Sequence, residues 1–336
     1  GKAEIVSVTS KKETRNPPLL FNLAELQNEC SRIFKISPAE TLKIAQELYD
    51  KKLTTYPRTD ARVLSTAVAR EIDKNLSGLA KGPVLPQYAA GILSHGSHKG
   101  LEKTKYVNDK QITDHYAIIP TGQTGQVAGL KGVSARVYEL IVRRFYAIFL
   151  KSAIYQKCSL ELRMAGESFF SSFKVLTEPG FMVVSRPETG QDEASGREKA
   201  ESGKPGADGQ ASGPAQASDE AGVTKDGQGG GDADPEAETE DRSIDAEALA
   251  KIKALKKGDL LDVTGLRVKE GETTPPKRYN SGALILTMEN AGQFIEDEDL
   301  RAQIKGSGIG TSATRAEILE KLVRNKYLNL NSKTQI

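Results

Sequence analysis

A long segment that lacks core-forming residues most strongly limits how this chain of 336 residues can fold. Residues 188–245 are rich in Gly, Ala, Asp, Glu and Ser and contain no aromatic side chain. Such a composition buries too little apolar surface to offset the entropy that ordering would cost, so the segment is expected to be disordered. The folded part of the molecule must therefore be built from the residues before and after it.

Alternating apolar and polar residues, which are typical of β-strands, occur on both sides of this segment. The pattern covers residues 3–9, 160–164, 173–176, 181–184 and 259–263. Because it resumes after the acidic segment, we interpret that segment as a hairpin insertion within one antiparallel β domain.

Helical periodicity dominates the sequence between the first strand and residue 150. Ser37-Pro38-Ala39-Glu40 combines a capping box with proline at the first helical position, and it predicts a helix start there. Further helices are predicted at residues 66–76 and 135–150, whereas the residues around His95 and His98 are predicted to form loops. The side chains expected to face the core on the first two helices are Leu23, Leu26, Cys30, Ile33, Leu42, Ala45, Leu48 and Tyr49.

The segment LTTYPRTD, residues 53–60, places a phenol two positions before a guanidinium. A phenol is a weak nucleophile near neutral pH, because its usual pKa is about 10. A neighbouring arginine is always charged, so it favours the phenolate and also holds phosphate oxygens. Tyr56 and Arg58 are therefore candidates for covalent attack on a nucleic-acid backbone, with Thr59 and Asp60 placed to orient them. Taken alone, the motif is equally consistent with a packed tyrosine beside a surface ion pair.

Further motifs accompany the tyrosine segment. ITDHYAIIPT at residues 112–121 contains a histidine, and GSGIGTSATRAEI at residues 306–318 is a glycine-rich stretch that leads into a helix. With these motifs the chain resembles the type IA DNA topoisomerases, and within them the bacterial topoisomerase III branch. The resemblance also includes PPLLFNL at 17–23, PPKRYNSG at 275–282 and MENAG at 288–292.

The resemblance implies a multidomain α+β fold. A helical domain that carries the tyrosine is expected at residues 16–150, and a partial helical base domain at residues 281–336. An antiparallel β arch would bridge them, interrupted by the disordered acidic insertion at residues 188–245. The arch is assigned to residues 1–15, 151–187 and 246–280.

By the same resemblance, Tyr56 attacks one DNA strand, becomes joined to the 5′ phosphate and leaves a free 3′ hydroxyl. Storing the broken bond as an ester lets the strand be resealed without ATP during relaxation or decatenation. Arg58 would stabilise charge on the phosphoryl oxygens, and His115 would contact the scissile phosphate. On spacing alone, His115 would instead be interpreted as a structural histidine held by Asp114.

Thr314 and Arg315 begin the helix that follows the glycine-rich stretch. The sequence TRAE is a capping box, so an N-cap role accounts fully for Thr314. The glycines and the helix N-terminus also favour a phosphate, and the matching threonine of the family holds a DNA phosphate. The resemblance makes Arg315 a further contact to the DNA backbone.

Lys277 and Arg278 precede Tyr279 in a basic and aromatic cluster. Such a cluster is either a stacking platform for single-stranded bases or a solvated strand end, and the sequence leaves both open. With Thr59, Asp60, Thr314 and Arg315, these two basic residues complete the predicted DNA-binding or phosphate-binding set.

The formal net charge of +2 conceals an acidic segment that offsets a basic remainder. Phosphate binding depends on the local basic surface, so the small net charge does not exclude DNA as a partner. Cys30 and Cys158 are expected to be buried free thiols, and no metal site is predicted because no cysteine pair has metal-ligand spacing. Without a membrane span or signal peptide, the chain is expected to be a cytoplasmic monomer that acts on nucleoid or mobile-element DNA.

The magnesium-binding Toprim domain of the family has no counterpart in this sequence. The chain is therefore expected to be a fragment that binds single-stranded DNA but cleaves it only with Mg²⁺ and a Toprim domain. The alternative is a single-stranded DNA clamp without catalysis. A relaxase or a tyrosine recombinase would also use a tyrosine, but the lack of a metal-binding histidine triad disfavours the first and the single candidate arginine disfavours the second.

Overall fold

The computed structural model describes residues 1–185, 246–268, 270–304, 308–333 and 335. The predicted disordered insertion at residues 188–245 lies outside these residues. All described residues belong to one unit of the fold, which comprises Gly1–Pro187 and Asp241–Ile336.

Within the described residues, four antiparallel strands form a single sheet, in the order β3-β2-β1-β4. They are β1 (Lys2–Arg15), β2 (Ala153–Met164), β3 (Glu167–Glu178) and β4 (Leu260–Asp262). The predicted α+β class and these strands are confirmed. The hairpin interpretation of the insertion is wrong, because β3 and β4 occupy opposite edges of the sheet and do not pair.

The predicted strand at residues 181–184 is also wrong, since a short helix, Met182–Ser185, forms there. A run of apolar residues cannot by itself distinguish a strand from a helical turn. Gly180 turns the chain just before it with φ +49°, a conformation that favours glycine. Phe181 and Val184 then point together into the core.

Eleven α-helices are present among the described residues. The helix predicted at residues 66–76 is divided into two at Glu71, and the segment before His95 is a helix where loops were expected. The helices are α1 (Leu23–Phe34), α2 (Pro38–Asp50), α3 (Thr66–Arg70), α4 (Ile72–Leu79), α5 (Pro86–His95), α6 (Gly132–Ala147), α7 (Met182–Ser185), α8 (Ala246–Ala254), α9 (Ser281–Glu289), α10 (Glu298–Ile304) and α11 (Arg315–Arg324).

The capping residues behave as the sequence predicts at the second helix. The Ser37 hydroxyl accepts a hydrogen bond from the Glu40 amide at 3.1 Å. Most apolar positions of α1 and α2 join the main core, but Tyr49 is 39% exposed, so its predicted inward position is wrong. Cys30 and Cys158 are buried and free, as expected, and burial raises the pKa of the Cys30 thiol.

A second, smaller core joins the C-terminal helices to α1. Ala24 of α1 packs with apolar side chains of α9 and α11. Gly282 permits the close approach of α9, because a Cβ there would lie 2.5 Å from the Asn28 Cα. The Ser31 and Ser281 hydroxyls meet at 3.1 Å across the same contact. No helix among the described residues is long and apolar enough to cross a membrane.

Candidate nucleic-acid cleavage site

The candidate site is built on the loop of residues 53–61, named here the tyrosine loop, which follows α2. Thr55 fastens this loop to an extended segment that runs from His115. Its amide donates to the Ile119 carbonyl at 3.0 Å, and its hydroxyl donates to the Ala117 carbonyl at 3.0 Å. The same hydroxyl accepts from the Ile119 amide at 3.0 Å. These paired bonds bring two motifs that are distant in sequence to one place.

Tyr56 lies half-buried between two other rings. Its ring centroid is 4.3 Å from that of His115, with the planes tilted by 41°. Tyr49 approaches it edge-on, with centroids 5.3 Å apart and an interplanar angle of 82°. Tyr49 is exposed because it flanks this site, which explains why its apolar spacing on α2 gave the wrong prediction.

Arg58 and His115 are both exposed. Among the described residues, neither side chain has a hydrogen-bond or ion-pair partner. The Tyr56 hydroxyl likewise has no such partner within the described part of the chain. The Tyr56 phenol and the His115 imidazole are thus available together to a ligand from solvent, and the Arg58 guanidinium is exposed two residues further along the same loop.

Thr59 is only 4% exposed, and its hydroxyl is occupied by protein. The hydroxyl donates to the His115 carbonyl at 2.9 Å and accepts from the Ala61 amide at 3.1 Å. The Thr59 carbonyl accepts from the Leu23 amide at 3.1 Å. Thr59 therefore holds the tyrosine loop to His115 and to α1, and it does not face solvent where a phosphate would approach.

Asp60 and Arg315 form an ion pair, with 3.0 Å between Oδ1 and Nη1. The Arg315 side chain is 4% exposed, whereas that of Asp60 is 56% exposed. The guanidinium also donates to the Ile309 carbonyl at 3.2 Å and to the Gly310 carbonyl at 3.3 Å. In this structure Arg315 is committed to protein partners, which differs from the predicted contact with the DNA backbone.

Glu289, the last residue of α9, lies behind this ion pair. Its Oε1 accepts from Asn22 Nδ2 at 2.8 Å and is 3.8 Å from Arg315 Nη1. Burial raises the pKa of Glu289 to about 7, opposed by the attraction of Arg315 and reinforced by the charges of Asp60 and Glu25. Near neutral pH this carboxyl is therefore poised between its two protonation states.

Sequence reasoning did not place Asn22, Tyr49 or Glu289 at the candidate site. Asn22 precedes an apolar run in the manner of an N-cap, and its Oδ1 does accept from the Glu25 amide at 2.9 Å. The sequence therefore contained a signal for the capping role of Asn22. It contained none for the hydrogen bond between Asn22 and Glu289, because these residues lie far apart in the chain.

Thr314 does not cap α11 through its side chain, so the capping-box prediction is wrong there. Its backbone has φ −110° and ψ −20°, whereas a capping residue is usually extended. The hydroxyl accepts instead from the Thr311 amide at 2.9 Å, inside the glycine-rich loop. Thr314 is exposed, which keeps it accessible to a phosphate.

Lys277 and Arg278 are exposed. Arg278 and Tyr279 line an open groove, and the rest of its lining comes from the C-terminal residues Asn329, Leu330, Asn331, Ser332 and Lys333. Tyr279 is 55% exposed, as a base-stacking side chain would need to be.

The described part of the chain contains no group of three or more His, Cys, Asp or Glu side chains that could hold a metal ion. The carboxylates of the site are instead paired with guanidiniums and amides.

A sequence model of a family described as DNA topoisomerase matches residues 1–221 and 233–336. DNA topoisomerase 3 of Bacillus subtilis is 31% identical over 335 residues, which cover 98% of this chain and 38% of that protein. DNA topoisomerase 3 of Shouchella clausii is 31% identical over 336 residues, with coverages of 98% and 38%. The chain thus spans well under half the length of these curated relatives.

Full-length topoisomerase I from Thermotoga maritima is a structural neighbour. Its superposition gives a TM-score of 0.55 at 19% identity and covers 99% of this chain and 42% of that one. At that identity the likeness shows the fold alone.

Proposed function

The chain belongs to the DNA topoisomerase family, as a type IA, topoisomerase III-like member, and from this premise we propose that it carries the strand-cleaving tyrosine of such an enzyme. The observation that supports this most directly is the position of Tyr56. Its half-exposed ring lies 4.3 Å from the His115 ring, and exposed Arg58, which has no partner among the described residues, follows two residues later in the same loop. The relatives are named as DNA topoisomerases, and DNA is accordingly the proposed substrate.

In the proposed step, the Tyr56 phenol oxygen attacks a backbone phosphorus of single-stranded DNA. A bond forms between that oxygen and phosphorus, and the bond from phosphorus to the 3′ oxygen breaks. The phenol loses its proton, and the departing 3′ oxygen gains one to become a hydroxyl. Reversal reseals the strand without ATP, because the phosphotyrosyl ester conserves the bond.

Arg58 and His115 are assigned to the phosphate in this proposal. The Arg58 guanidinium would bind the non-bridging oxygens through its fork of donors as negative charge develops on them. The His115 ring, fixed by its contact with Tyr56 and by the Thr59 bond to its carbonyl, would bind the same phosphate. Thr314 is assigned to a neighbouring phosphate, and Lys277 and Arg278 to the approaching single strand.

Mg²⁺ chemistry enters this proposal only through a Toprim domain, by family resemblance. The described part of the chain has no group of three or more metal-ligating side chains, and none of the steps assigned here uses the ion. The tyrosine-bearing helical domain, the β arch and the partial base domain are likewise proposed at the boundaries that the sequence suggested.

Covalent adduct formation tests the proposal. The chain would be mixed with a separately expressed Toprim domain, Mg²⁺ and a single-stranded oligonucleotide that is labelled at its 3′ end in one sample and its 5′ end in another. After denaturation, the 3′ label should migrate with the protein, because that fragment carries the 5′ phosphate. The 5′ label should appear on a shortened free oligonucleotide.

Tyr56→Phe should abolish the adduct, while DNA binding changes by less than about two-fold, because only the hydroxyl is lost. Tyr327→Phe is the matched control, since Tyr327 is 76% exposed and lies outside the site. A 5′ label retained on the protein would contradict the proposal by showing recombinase polarity. Binding without any adduct in the presence of the Toprim domain would support the clamp alternative instead.

A further inference from the structure

We propose that Arg315 is a positioning residue, which holds the tyrosine loop in place through Asp60 and does not itself bind DNA. The inference rests on the proposed function only for what the positioned loop does. It departs from the role that family resemblance suggested for Arg315, and the observations that carry it are burial, pairing and charge.

The Arg315 guanidinium is enclosed by protein acceptors. Three of its nitrogens donate to Asp60, Ile309 and Gly310 at 3.0, 3.2 and 3.3 Å. With its side chain only 4% exposed, it would have to leave these partners to reach a phosphate. Such a move would break all three hydrogen bonds of a buried guanidinium at once, so this rearrangement is unfavourable.

The charge of Arg315 is also opposed by carboxylates close to it. The carboxylates of Asp60, Glu25 and Glu289 surround two guanidiniums, those of Arg315 and Arg62. Arg62 is itself paired with Glu25 at 2.8 Å. Exposed Arg58, in contrast, has no carboxylate partner among the described residues.

Arg315 links two loops that are both tightly fixed elsewhere. Gly308 and Gly310 have φ +58° and +68°, and a Cβ on Gly308 would lie 2.5 Å from the Glu289 carbonyl oxygen. The Ile309 amide donates to the Met288 carbonyl at 2.7 Å. The glycine-rich loop is thus packed on the end of α9, and it provides a rigid support from which Arg315 reaches Asp60.

Asp60 is held from a second side by Asn22. The side-chain nitrogen Nδ2 of Asn22 donates to the Asp60 carbonyl at 3.2 Å and to Glu289 Oε1 at 2.8 Å. Both the side chain and the backbone of Asp60 are therefore anchored to residues connected with α9 and α11. Because Asp60 shares a short loop with Tyr56, these anchors restrict the position of the phenol, and small misplacements of a reacting group reduce rates strongly.

The salt dependence of binding separates positioning from DNA contact. The affinity of the full chain for a single-stranded oligonucleotide would be measured over a range of salt concentrations. The plot of log K against log salt has a negative slope, and each lost phosphate contact decreases its steepness by about 0.7 for single strands. Arg58→Ala should show that decrease, whereas Arg315→Ala should keep the wild-type slope. A decrease of about 0.7 for Arg315→Ala would overturn the inference.

Amide hydrogen exchange of the tyrosine loop gives a readout that needs no DNA. Arg315→Ala and Asp60→Asn should each speed exchange at the Thr59 and Ala61 amides by about ten-fold, and the double variant should be no faster. Arg315→Lys, which can keep the pair with Asp60, should restore part of the protection. Arg58→Ala should leave exchange unchanged.

Additive effects of Arg315→Ala and Asp60→Asn, or no change in exchange, would overturn the inference. Asp60→Asn alters a side chain that is 56% exposed, so it decides the outcome even if Arg315→Ala does not fold. If the wild-type chain fails to bind the oligonucleotide, the proposed function is contradicted, while the exchange measurement still tests the positioning role. The two failures are therefore distinguishable.

Discussion

Two groups of polar side chains meet at the tyrosine loop, and they differ in whether their hydrogen-bonding groups are paired with other protein groups. The outer group consists of half-buried Tyr56 and exposed Arg58 and His115, whose side chains make no hydrogen bonds among the described residues. The inner group, joined by hydrogen bonds and ion pairs, consists of Asn22, Asp60, Glu289 and Arg315. The tyrosine motif predicted that Asp60 orients Tyr56 and Arg58, and the resemblance made Arg315 a contact to DNA; in the structure these two residues are paired with each other.

This difference indicates a division of roles. An exposed polar group without a protein partner loses little by remaining solvated, so it is free to bind a ligand. A buried group must be paired, because an unpaired one costs more than its hydrogen bond contributes. Changes to the outer group should therefore alter chemistry with little effect on stability, whereas changes around the inner group should alter stability first.

The largest expected effect concerns the helix contact that supports the inner group. Gly282→Ala would place a methyl group 2.5 Å from the Asn28 Cα and 2.9 Å from the Gln27 carbonyl oxygen. Backbone atoms cannot yield as a flexible side chain does, so α9 must move away from α1. We expect a loss of about 3 kcal/mol in the free energy of unfolding, the upper part of the range for overpacking, measured by urea denaturation.

Gly91→Ala is the matched control within helix α5. A Cβ at Gly91 would have no heavy atom within 4 Å, so the change should stabilise the protein by about 0.5–1 kcal/mol. Equal effects of the two substitutions would show that the contact between α9 and α1 is not close, and the support of the inner group would then need another explanation.

The next effect is the pH dependence that Glu289 introduces into stability. Its pKa is raised by burial from 4.5 to about 7, so between these values the native state holds a proton that the unfolded state has released. The stabilisation from this group is complete below pH 4.5 and is lost as pH rises through 7. Glu289→Gln, which imitates the neutral form and can still accept from Asn22, should remove this loss.

Denaturation at several pH values would measure the difference between Glu289→Gln and the wild type. The variant should match the wild type near pH 4.5 and become more stable by up to about 3 kcal/mol at pH 8, since one pKa unit corresponds to about 1.4 kcal/mol. Glu317→Gln is the control, because Glu317 is an exposed carboxylate on α11. A constant difference at every pH would show that Glu289 is ionised like an exposed glutamate.

Local patterns were sufficient to predict much of the fold. The helix start at Ser37 and the long first strands follow from capping chemistry and from alternation, both of which are encoded within a few residues. The helix before His95 and the turn of helix at Met182 were missed, because their apolar residues lack a clear period. Burial against the rest of the core decides their conformation, and sequence alone does not display it.

For the site, the residues that sequence reasoning placed together are those whose backbones pair. Tyr56 and His115 meet because Thr55 bonds to the segment that follows His115. Glu289 was not predicted, because its environment is created by packing between α9, α11 and α1. A raised pKa depends on that packing and has no local signature in the sequence.

The smallest expected effect compares two buried threonines of the tyrosine loop, Thr59 at 4% exposure and Thr54 at 1%. The Thr59 hydroxyl makes two hydrogen bonds to protein, whereas the Thr54 hydroxyl has no partner in the described part of the chain. Valine has nearly the same shape as threonine but lacks the hydroxyl. Thr59→Val should therefore lower the free energy of unfolding by about 1–2 kcal/mol, and Thr54→Val should leave it unchanged or slightly higher.

Chemical denaturation of both variants, with hydrogen exchange at the Ala61 amide, would test this expectation. Exchange at Ala61 should increase only in Thr59→Val, because that amide loses its acceptor. If Thr54→Val is destabilised as much as Thr59→Val, then Thr54 has a partner such as a bound water, and the tyrosine loop is held by more than the contacts described. If neither variant changes, the hydroxyl of Thr59 does not fix the loop, and the position of Tyr56 must depend on Asp60 and its partners alone.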